Sequence, residues 1–432
     1  MNDTTEKTKT LEGYFGGTER PTRALLERCL AGVELSWQDA VSLCSVTGPA
    51  LHALCAVADA LRAEQAGEVV TYVVNRNINF TNACVKACRF CAFARGHRSE
   101  EAYFLGEDEI VRRALEAREL GATEICVQAG LAPGIDGRLY VQLVRALKAA
   151  APDLDIHAFS PEEVKYGAGL AKVPYRAYLE ELRDAGLGSL PGTSAEVLDD
   201  AVRARIAPTR ITTGEWIEVV KTAHQVGLPT TSTIMYGHIE TDAERMRHLD
   251  LLRSIQKETG GFTEFVPLSF VHTESPMFAK GLLPDMRPGP GGSDVVRLFA
   301  IARIMLGATF RNVQVSWVKE GLRQAEWLLS CGANDLGGTL MNESISTAAG
   351  SAHGQVVTPS GLRRVIRGAG RTPAQRNTRY ELLRAFSREE SGDEPIEALD
   401  ALENADEKLG SYAALTRDGR FRFHLKRAPR SA

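Results

Sequence analysis

Eight short apolar runs mark residues 69–340: Val69–Val74, Thr123–Gln128, Asp155–Phe159, Leu187–Leu190, Thr230–Met235, Phe262–Leu268, Val313–Trp317 and Leu336–Leu340. Between them lie stretches whose apolar residues recur at three and four, the spacing of a helix buried on one side. These are Glu107–Leu120, Leu139–Ala150, Pro174–Ala185, Thr213–Val226, Asp242–Thr259, Asp294–Leu306 and Lys319–Cys331. Gly121, Gly186 and Gly227 follow three of them, as left-handed helix caps would. Strands joined through helices run parallel, and a parallel sheet must be covered on both faces. Eight such units predict an α/β fold, and a closed (β/α)8 TIM-type barrel over an open doubly wound sheet. A barrel gathers its chemistry at the C-terminal ends of its strands. The polar motifs of this chain fall just after the apolar runs.

The barrel is expected to occupy residues 69–345. Residues 1–68 read as a polar tail followed by a helical extension. There Ser36, with Asp39 three residues on, forms an N-cap with an acidic first turn. Residues 346–432 read as a C-terminal extension packed on the barrel, with a flexible charged segment at Ser387–Pro395 and a last short strand at Phe421–Leu425. The Pro/Gly loop from Asp285 to Ser293 is a lid over the barrel mouth or a spacer. At 432 residues, 44% apolar and 25% charged, the chain can bury a large core and is not disordered as a whole. A net charge of −4 argues against a general nucleic-acid binder. No apolar run reaches the ~18 residues of a membrane helix, and the polar start lacks the apolar heart of a signal peptide. A cytoplasmic protein without membrane or nucleic-acid partners is expected.

Eight cysteines in 432 residues are too few for a disulfide scaffold. Three crowd together, Cys84, Cys88 and Cys91, as C-x3-C-x2-C. Thiolates are soft ligands that select iron–sulfur clusters, zinc or copper. Structural zinc would need a fourth ligand such as His97. Three thiolates on a cubane leave one iron open to a small molecule. The other five cysteines read as core residues. Lys86 and Arg89, between the ligands, offset an anionic cluster or face solvent.

This spacing, after a strand and flanked by aromatics, resembles the signature of the radical S-adenosylmethionine (SAM) superfamily. The resemblance implies a barrel of that class and a 4Fe-4S cluster whose unique iron is chelated by SAM. It extends to Asn77-Ile-Asn-Phe-Thr-Asn, Gln128-Ala-Gly, His157-Ala-Phe-Ser-Pro-Glu-Glu, Leu190-Pro-Gly-Thr-Ser-Ala-Glu and Ser316-Trp-Val-Lys. These motifs resemble one branch, which holds a deazaflavin synthase subunit, two radical enzymes of futalosine-dependent menaquinone synthesis and, more distantly, a tyrosine lyase of thiamine synthesis. Asn334-Asp-Leu-Gly-Gly-Thr-Leu-Met-Asn-Glu-Ser-Ile-Ser is most similar to the second subunit of FO synthase. That family joins L-tyrosine to 5-amino-6-(D-ribitylamino)uracil, releasing iminoacetate, 5′-deoxyadenosine and methionine. The implied partners are those two substrates, a flavodoxin or ferredoxin electron donor, and FO synthase subunit 1, which closes the ring. The alternatives are a menaquinone-pathway enzyme and a non-catalytic metal-binding scaffold.

The resemblance also implies site residues. Cys84, Cys88 and Cys91 hold the metal. Phe90, Gln128, Gly130, Ser160, Glu162, Thr193, Glu196, Met235 and Gly237 meet SAM. Asn79, His157, His238, His272, Gln314, Ser316, Asn334, Asp335, Thr339, Asn342 and Glu343 are substrate-binding candidates. The acid or base stays unassigned. The superfamily's usual Gly-Gly-Glu-Pro is absent at Gln128–Gly130, and Thr233 and Met235 replace a usual Gly and Ile. Local structure explains some of these residues equally well. Gly130 fits an ordinary βα turn. Ser160 and Pro161 fit N-cap and N1 positions, Thr193 and Glu196 fit a capping box, and the polar residues of 334–343 fit a hydrogen-bonded barrel closure. Gln314 and Ser316 alternate with Val315 and Trp317, so a polar pair facing inward calls for a polar ligand.

Overall fold

The computed structural model describes residues 11–390, 394 and 396–425. Of the polar tail expected at residues 1–20, residues 1–10 lie outside the described residues, as do 391–393 and 395 of the segment expected to be flexible; the rest of that tail is ordered, with a 3-10 turn at Glu12–Phe15 that buries the apolar Phe15 ring. The fold is mixed α/β. Its strands are β1 (Val69–Val73), β2 (Asn75–Ile78), β3 (Glu124–Val127), β4 (Asp155–Ala158), β5 (Thr230–Tyr236), β6 (Phe262–Ser269), β7 (Asp335–Gly338), β8 (Thr372–Arg376) and β9 (Leu382–Ala385). They form three sheets, β2-β3-β4, β5-β6 and β7-β1-β8-β9. Every pair is parallel except β8 with β9. Single parallel bridges link these sheets: His157 with Ser189, Leu190 with Thr230, Phe265 with Val313, Gln314 with Asp335, and Arg76 with Met341.

Two expected strands are therefore reduced to single bridges. Leu187–Leu190 is hemmed in by Gly186, at φ 106°, and by Pro191, which has no N–H for a ladder. The run at 313–317 ends because Trp317 opens a helical turn, Trp317–Glu320. The expected strand at 421–425 is also corrected: Gly419–Phe421 is a 3-10 turn, and only Arg422 bridges, to Tyr103. β8 and β9 lie in what the sequence reads as a tail.

The helices follow the apolar period. Glu107–Glu119, Leu139–Ala150, Tyr175–Asp184, Thr213–Gln225, Asp242–Thr259 and Gly292–Leu306 fall within the expected stretches or one or two residues beyond them. The last expected helix breaks at Gly321, at φ 75°. Ser36 Oγ accepts from the Asp39 N–H at 3.0 Å, so that N-cap is formed. Before β1, the helix Gly48–Ala66 packs on Gly292–Leu306, burying Leu54, Val57 and Ala58. The Pro/Gly loop lies on the chain after β5, where a Cβ on Gly237 would meet Pro290 at 2.4 Å. Among the described residues no helix is long and apolar enough to cross a membrane.

Candidate active site

One cavity of about 400 Å³ opens where the segments following β2, β3, β4, β5, β6 and β7 converge. Cys84, Cys88, Phe90 and Cys91 line it from the loop after β2. Backbone contacts to distant segments fix this loop. The Cys84 N–H donates to Arg95 O at 3.0 Å, Val85 N–H to Leu131 O at 2.9 Å, and Arg89 N–H to Ile206 O at 2.8 Å. The three thiols are free. Among the described residues no three His, Cys, Asp or Glu side chains converge as ligands of a single ion. A cubane meets each thiolate at a separate corner, so three thiols spread along one cavity wall suit a cluster better than a lone zinc. His97 does not line the cavity.

Positive charge stands beside the thiols. Arg210 Nη1 is 3.9 Å from Cys88 Sγ and 2.8 Å from Glu196 Oε1, and its guanidinium lies 5.8 Å from the Phe90 ring centre. Burial pushes the Cys88 thiol up to about 12 against the pull of Arg210, and it raises Cys91 as well. Ionising them calls for a bound cation. Burial also pushes Glu162 up, but Arg210, the Ile211 N–H and Lys86 outweigh it, and the carboxyl stays below its ordinary value. Glu162 accepts from the Ile211 N–H at 2.6 Å and lies 3.1 Å from Lys86 Nζ, so it anchors the cations that flank the cysteine loop.

Gln128, Gly130, Ser160, Thr193, Glu196, Met235, Asn79, His157, Gln314, Ser316 and Glu343 also line the cavity. Thr193 Oγ1 donates to Gln128 Oε1 at 3.0 Å. Gly130 passes so close to the cysteine loop that a Cβ would sit 2.5 Å from Ala83 O. Ser160 caps the helix Pro161–Ala171, and its Oγ donates to Glu163 at 2.7 Å. No helix begins at Thr193: Ser194 and Glu196 have φ of 68° and 42°, and the next helix starts after Asp199. The capping box is thus absent, and Glu196 is free to meet Arg210. His157 pairs through Nδ1 with Ser189 Oγ at 2.6 Å, and burial lowers its pKa. Asn75, Asn77 and Asn79 share the inward side of the chain at β2, and the Oδ1 atoms of Asn77 and Asn79 are buried without a partner. Unused acceptors facing a cavity call for a ligand that donates.

Seven expected site residues lie outside the cavity lining. His238 is buried; its Nε2 donates to Met235 O at 3.0 Å and its Nδ1 accepts from the Ile239 N–H at 2.8 Å. Gly237 serves the packing of Pro290. His272 packs on Phe278 at 4.5 Å between ring centres. Asn334 Oδ1 accepts from Arg303 at 2.8 Å and from the Val313 N–H at 2.9 Å. Asp335 holds Arg376, Thr339 bonds the Asn75 backbone, and Asn342 joins Arg76 to the carbonyls of Leu409 and Gly410. For these last four, structural hydrogen bonds within the protein are the observed role.

Sequence reasoning missed Arg210 and a further set comprising Glu124, Glu264, Arg376, Thr378 and Tyr380, and it noted Lys319 only as the end of Ser316-Trp-Val-Lys, without a role; all of them line the cavity. Burial raises Glu264 to about 7 against Arg376. Arg210 carries no local pattern. Its signal is an arginine in a non-helical segment of a buried region, visible only once the chain is folded.

Residues 78–252 match the Radical SAM superfamily, and residues 259–389 match the CofH/MqnC C-terminal region. The chain is 48% identical to the 5-amino-6-(D-ribitylamino)uracil--L-tyrosine 4-hydroxyphenyl transferase of Methanothermobacter thermautotrophicus, over 83% of this chain and 97% of that one. Against the transferase of the same name from Methanocaldococcus jannaschii the identity is 47%, over 76% of this chain and 91% of that one. The FO synthase of Mycobacterium tuberculosis is 49% identical over 80% of this chain, which spans only 40% of that longer protein. Among solved structures, the FeFe-hydrogenase maturase HydG from Carboxydothermus hydrogenoformans aligns with a TM-score of 0.63 at 14% identity, over 87% of this chain and 84% of that one. Methylornithine synthase PylB aligns at 0.58 and 18%, over 79% and 90%. At such identities the likeness concerns the fold alone. Given near-complete coverage of relatives almost half identical, the chain belongs to the radical SAM family of 5-amino-6-(D-ribitylamino)uracil–L-tyrosine 4-hydroxyphenyl transferases.

Proposed function

We propose that the chain transfers the 4-hydroxybenzyl group of L-tyrosine to C5 of 5-amino-6-(D-ribitylamino)uracil, releasing 2-iminoacetate, in FO biosynthesis. The observation that carries this reading is the 48% identity over 97% of a transferase so named. The relatives described above bear the transferase or FO synthase name, which disfavours the menaquinone alternative, and the superfamily match disfavours a passive metal scaffold. The bridged parallel strands are best understood as a closed (β/α)8 barrel over residues 69–345, with 1–68 and 346–432 as its flanking extensions.

In this reading Cys84, Cys88 and Cys91 would hold a 4Fe-4S cluster, and SAM would bind its open iron. When bound, the pair supplies the 5′-deoxyadenosyl radical that takes hydrogen from the tyrosine amine. The chain's own residues do the rest. Arg210 and Lys86 balance the negative charge of the thiolate loop. Gln128, Thr193, Glu196 and Met235 shape the SAM side of the cavity. Asn79 and Asn77 offer open acceptors to substrate N–H or O–H groups, and His157, Gln314 and Ser316 supply polar contacts to the uracil and ribityl groups. Their burial keeps bulk water from a reactive benzyl fragment. A one-electron donor such as flavodoxin or ferredoxin and a ring-closing FO synthase subunit 1 complete the sequence, with the cytoplasm as its setting. Anaerobic turnover with SAM, dithionite, tyrosine and the ribitylaminouracil tests it. Mass spectrometry is expected to show an adduct carrying the 4-hydroxybenzyl mass, with 5′-deoxyadenosine and iminoacetate alongside. If SAM is cleaved and no adduct forms, the reading is wrong.

A further inference from the structure

Four cations line the cavity, Lys86, Arg210, Lys319 and Arg376. Three are committed: Lys86 to Glu162 at 3.1 Å, Arg210 to Glu196 at 2.8 Å, and Arg376 to Asp335 at 2.6 Å. The side chain of Lys319, on the turn Trp317–Glu320, makes no hydrogen bond or ion pair within 4.0 Å among the described residues. Lys319 is only partly buried and lines the cavity, so its unpaired ammonium is open to an anion bound there.

Glu343 lines the same cavity at 5% exposure. Its carboxylate accepts from the Ser346 N–H at 3.1 and 2.9 Å and from the Thr347 N–H at 3.3 Å, and no cation lies within 4.0 Å of it among the described residues. Burial is the main influence on both groups, lowering Lys319 and raising Glu343. After burial, each is the strongest charge acting on the other. They are near enough to interact but stand too far apart to pair. Leu268, Phe270 and Leu340 add apolar wall to the cavity.

We propose that Lys319 and Glu343 form a clamp for a zwitterionic α-amino acid, Lys319 taking the carboxylate and Glu343 the ammonium, with the apolar wall facing the side chain. The clamp rests on the function proposed above, in which that amino acid is L-tyrosine. SAM also carries an amino-acid head, so the test must separate the two ligands.

The test is calorimetric titration of the anaerobic, cluster-loaded enzyme with three ligands. They are L-tyrosine, tyramine, which lacks the carboxylate, and 3-(4-hydroxyphenyl)propionate, which lacks the ammonium. Lys319→Met is expected to weaken tyrosine and the propionate by roughly tenfold to a hundredfold, the loss of one charge-assisted hydrogen bond, and to leave tyramine unchanged. Lys319→Arg is expected to restore part of the loss. Glu343→Gln is expected to weaken tyrosine and tyramine and spare the propionate. In each variant the ligand expected to be unaffected is an internal check that the cavity has kept its shape. Tyrosine affinity untouched in Lys319→Met overturns the clamp, as does an equal loss of tyrosine and tyramine, or a loss of SAM affinity in place of tyrosine. A wild-type enzyme inert toward tyrosine overturns the proposed function and the clamp together. An active wild type with an insensitive Lys319→Met overturns the clamp alone.

Discussion

His248 is held at both ring nitrogens. Nδ1 accepts from the Leu198 N–H at 3.0 Å, and Nε2 donates to Thr233 O at 3.0 Å. This arrangement requires a neutral ring, because a proton on Nδ1 would face another N–H. Burial drives its pKa from 6.5 down to about 3. Between those values the unfolded chain binds a proton that the folded chain refuses. The contribution to stability is therefore complete above about 6.5 and is lost as pH falls toward 3. Between pH 7 and pH 5 the loss is about 2 kcal/mol for this one residue. His224, pushed down to about 4 by burial, adds to it in the same direction. Urea unfolding of the wild type is expected to weaken over that interval, with a shallower fall in His248→Gln. Parallel curves would show that the ring is not the titrating group. Leu198 lies just beyond Thr193 and Glu196, so this histidine braces one wall of the active site. No spacing rule in the sequence singles it out.

β8 shows where the apolar rhythm stops being informative. Thr372-Pro-Ala-Gln-Arg has a proline and two large polar residues, and it reads as tail. The reason is its position: β8 lies between β1 and β9 with its end turned into the cavity. Arg376 Nε reaches Asp335 Oδ2 at 2.6 Å, its guanidinium lies 3.9 Å from the Tyr380 ring centre, Thr378 Oγ1 donates to Glu124 at 2.8 Å, and the Tyr380 hydroxyl donates to Glu264. A strand built for a buried polar network cannot carry an apolar signature, whereas β3 and β6 each lend that network one glutamate, Glu124 and Glu264, and keep buried apolar residues such as Ile125, Val127, Phe265 and Val266. The same network explains why Asp335, which family likeness suggests for substrate, is spent on structure. Arg376→Met leaves Asp335 buried and unpaired and is expected to cost about 3–5 kcal/mol. Adding Asp335→Asn is expected to recover part of that loss. Simple addition of the two losses in denaturant titrations would show that the pair is not coupled.

Backbone hydrogen bonds brace the cysteine loop. Backbone donors at Cys84, Val85 and Arg89 reach Arg95, Leu131 and Ile206, and the Met277 N–H donates to Arg89 O at 2.7 Å. Three separated parts of the chain, around Leu131, Ile206 and Met277, thus meet at the loop. The triplet itself is legible from its spacing, because ligands close in sequence leave a local trace. Arg210 is not, because it reaches the cavity from a segment more than a hundred residues away and belongs to no motif. A loop braced in this way is expected to keep its path without metal, in contrast with small metal domains that unfold without their ion. Alanine at Cys84, Cys88 or Cys91 is therefore expected to abolish retained iron, the absorbance near 400 nm and SAM cleavage. The same variants are expected to leave iron-free stability within about 1 kcal/mol of the iron-free wild type, because losing one sulfur atom at the wall of an open cavity leaves no large void and breaks no buried network. Cys126→Ala is the control. That thiol lines the same cavity from β3, where Gln128 Nε2 donates to it at 3.3 Å, and its loss is expected to spare the iron. Iron lost from Cys126→Ala, or a triplet variant unfolded without iron, would mean that the cluster shapes the loop and that the protein frame does not.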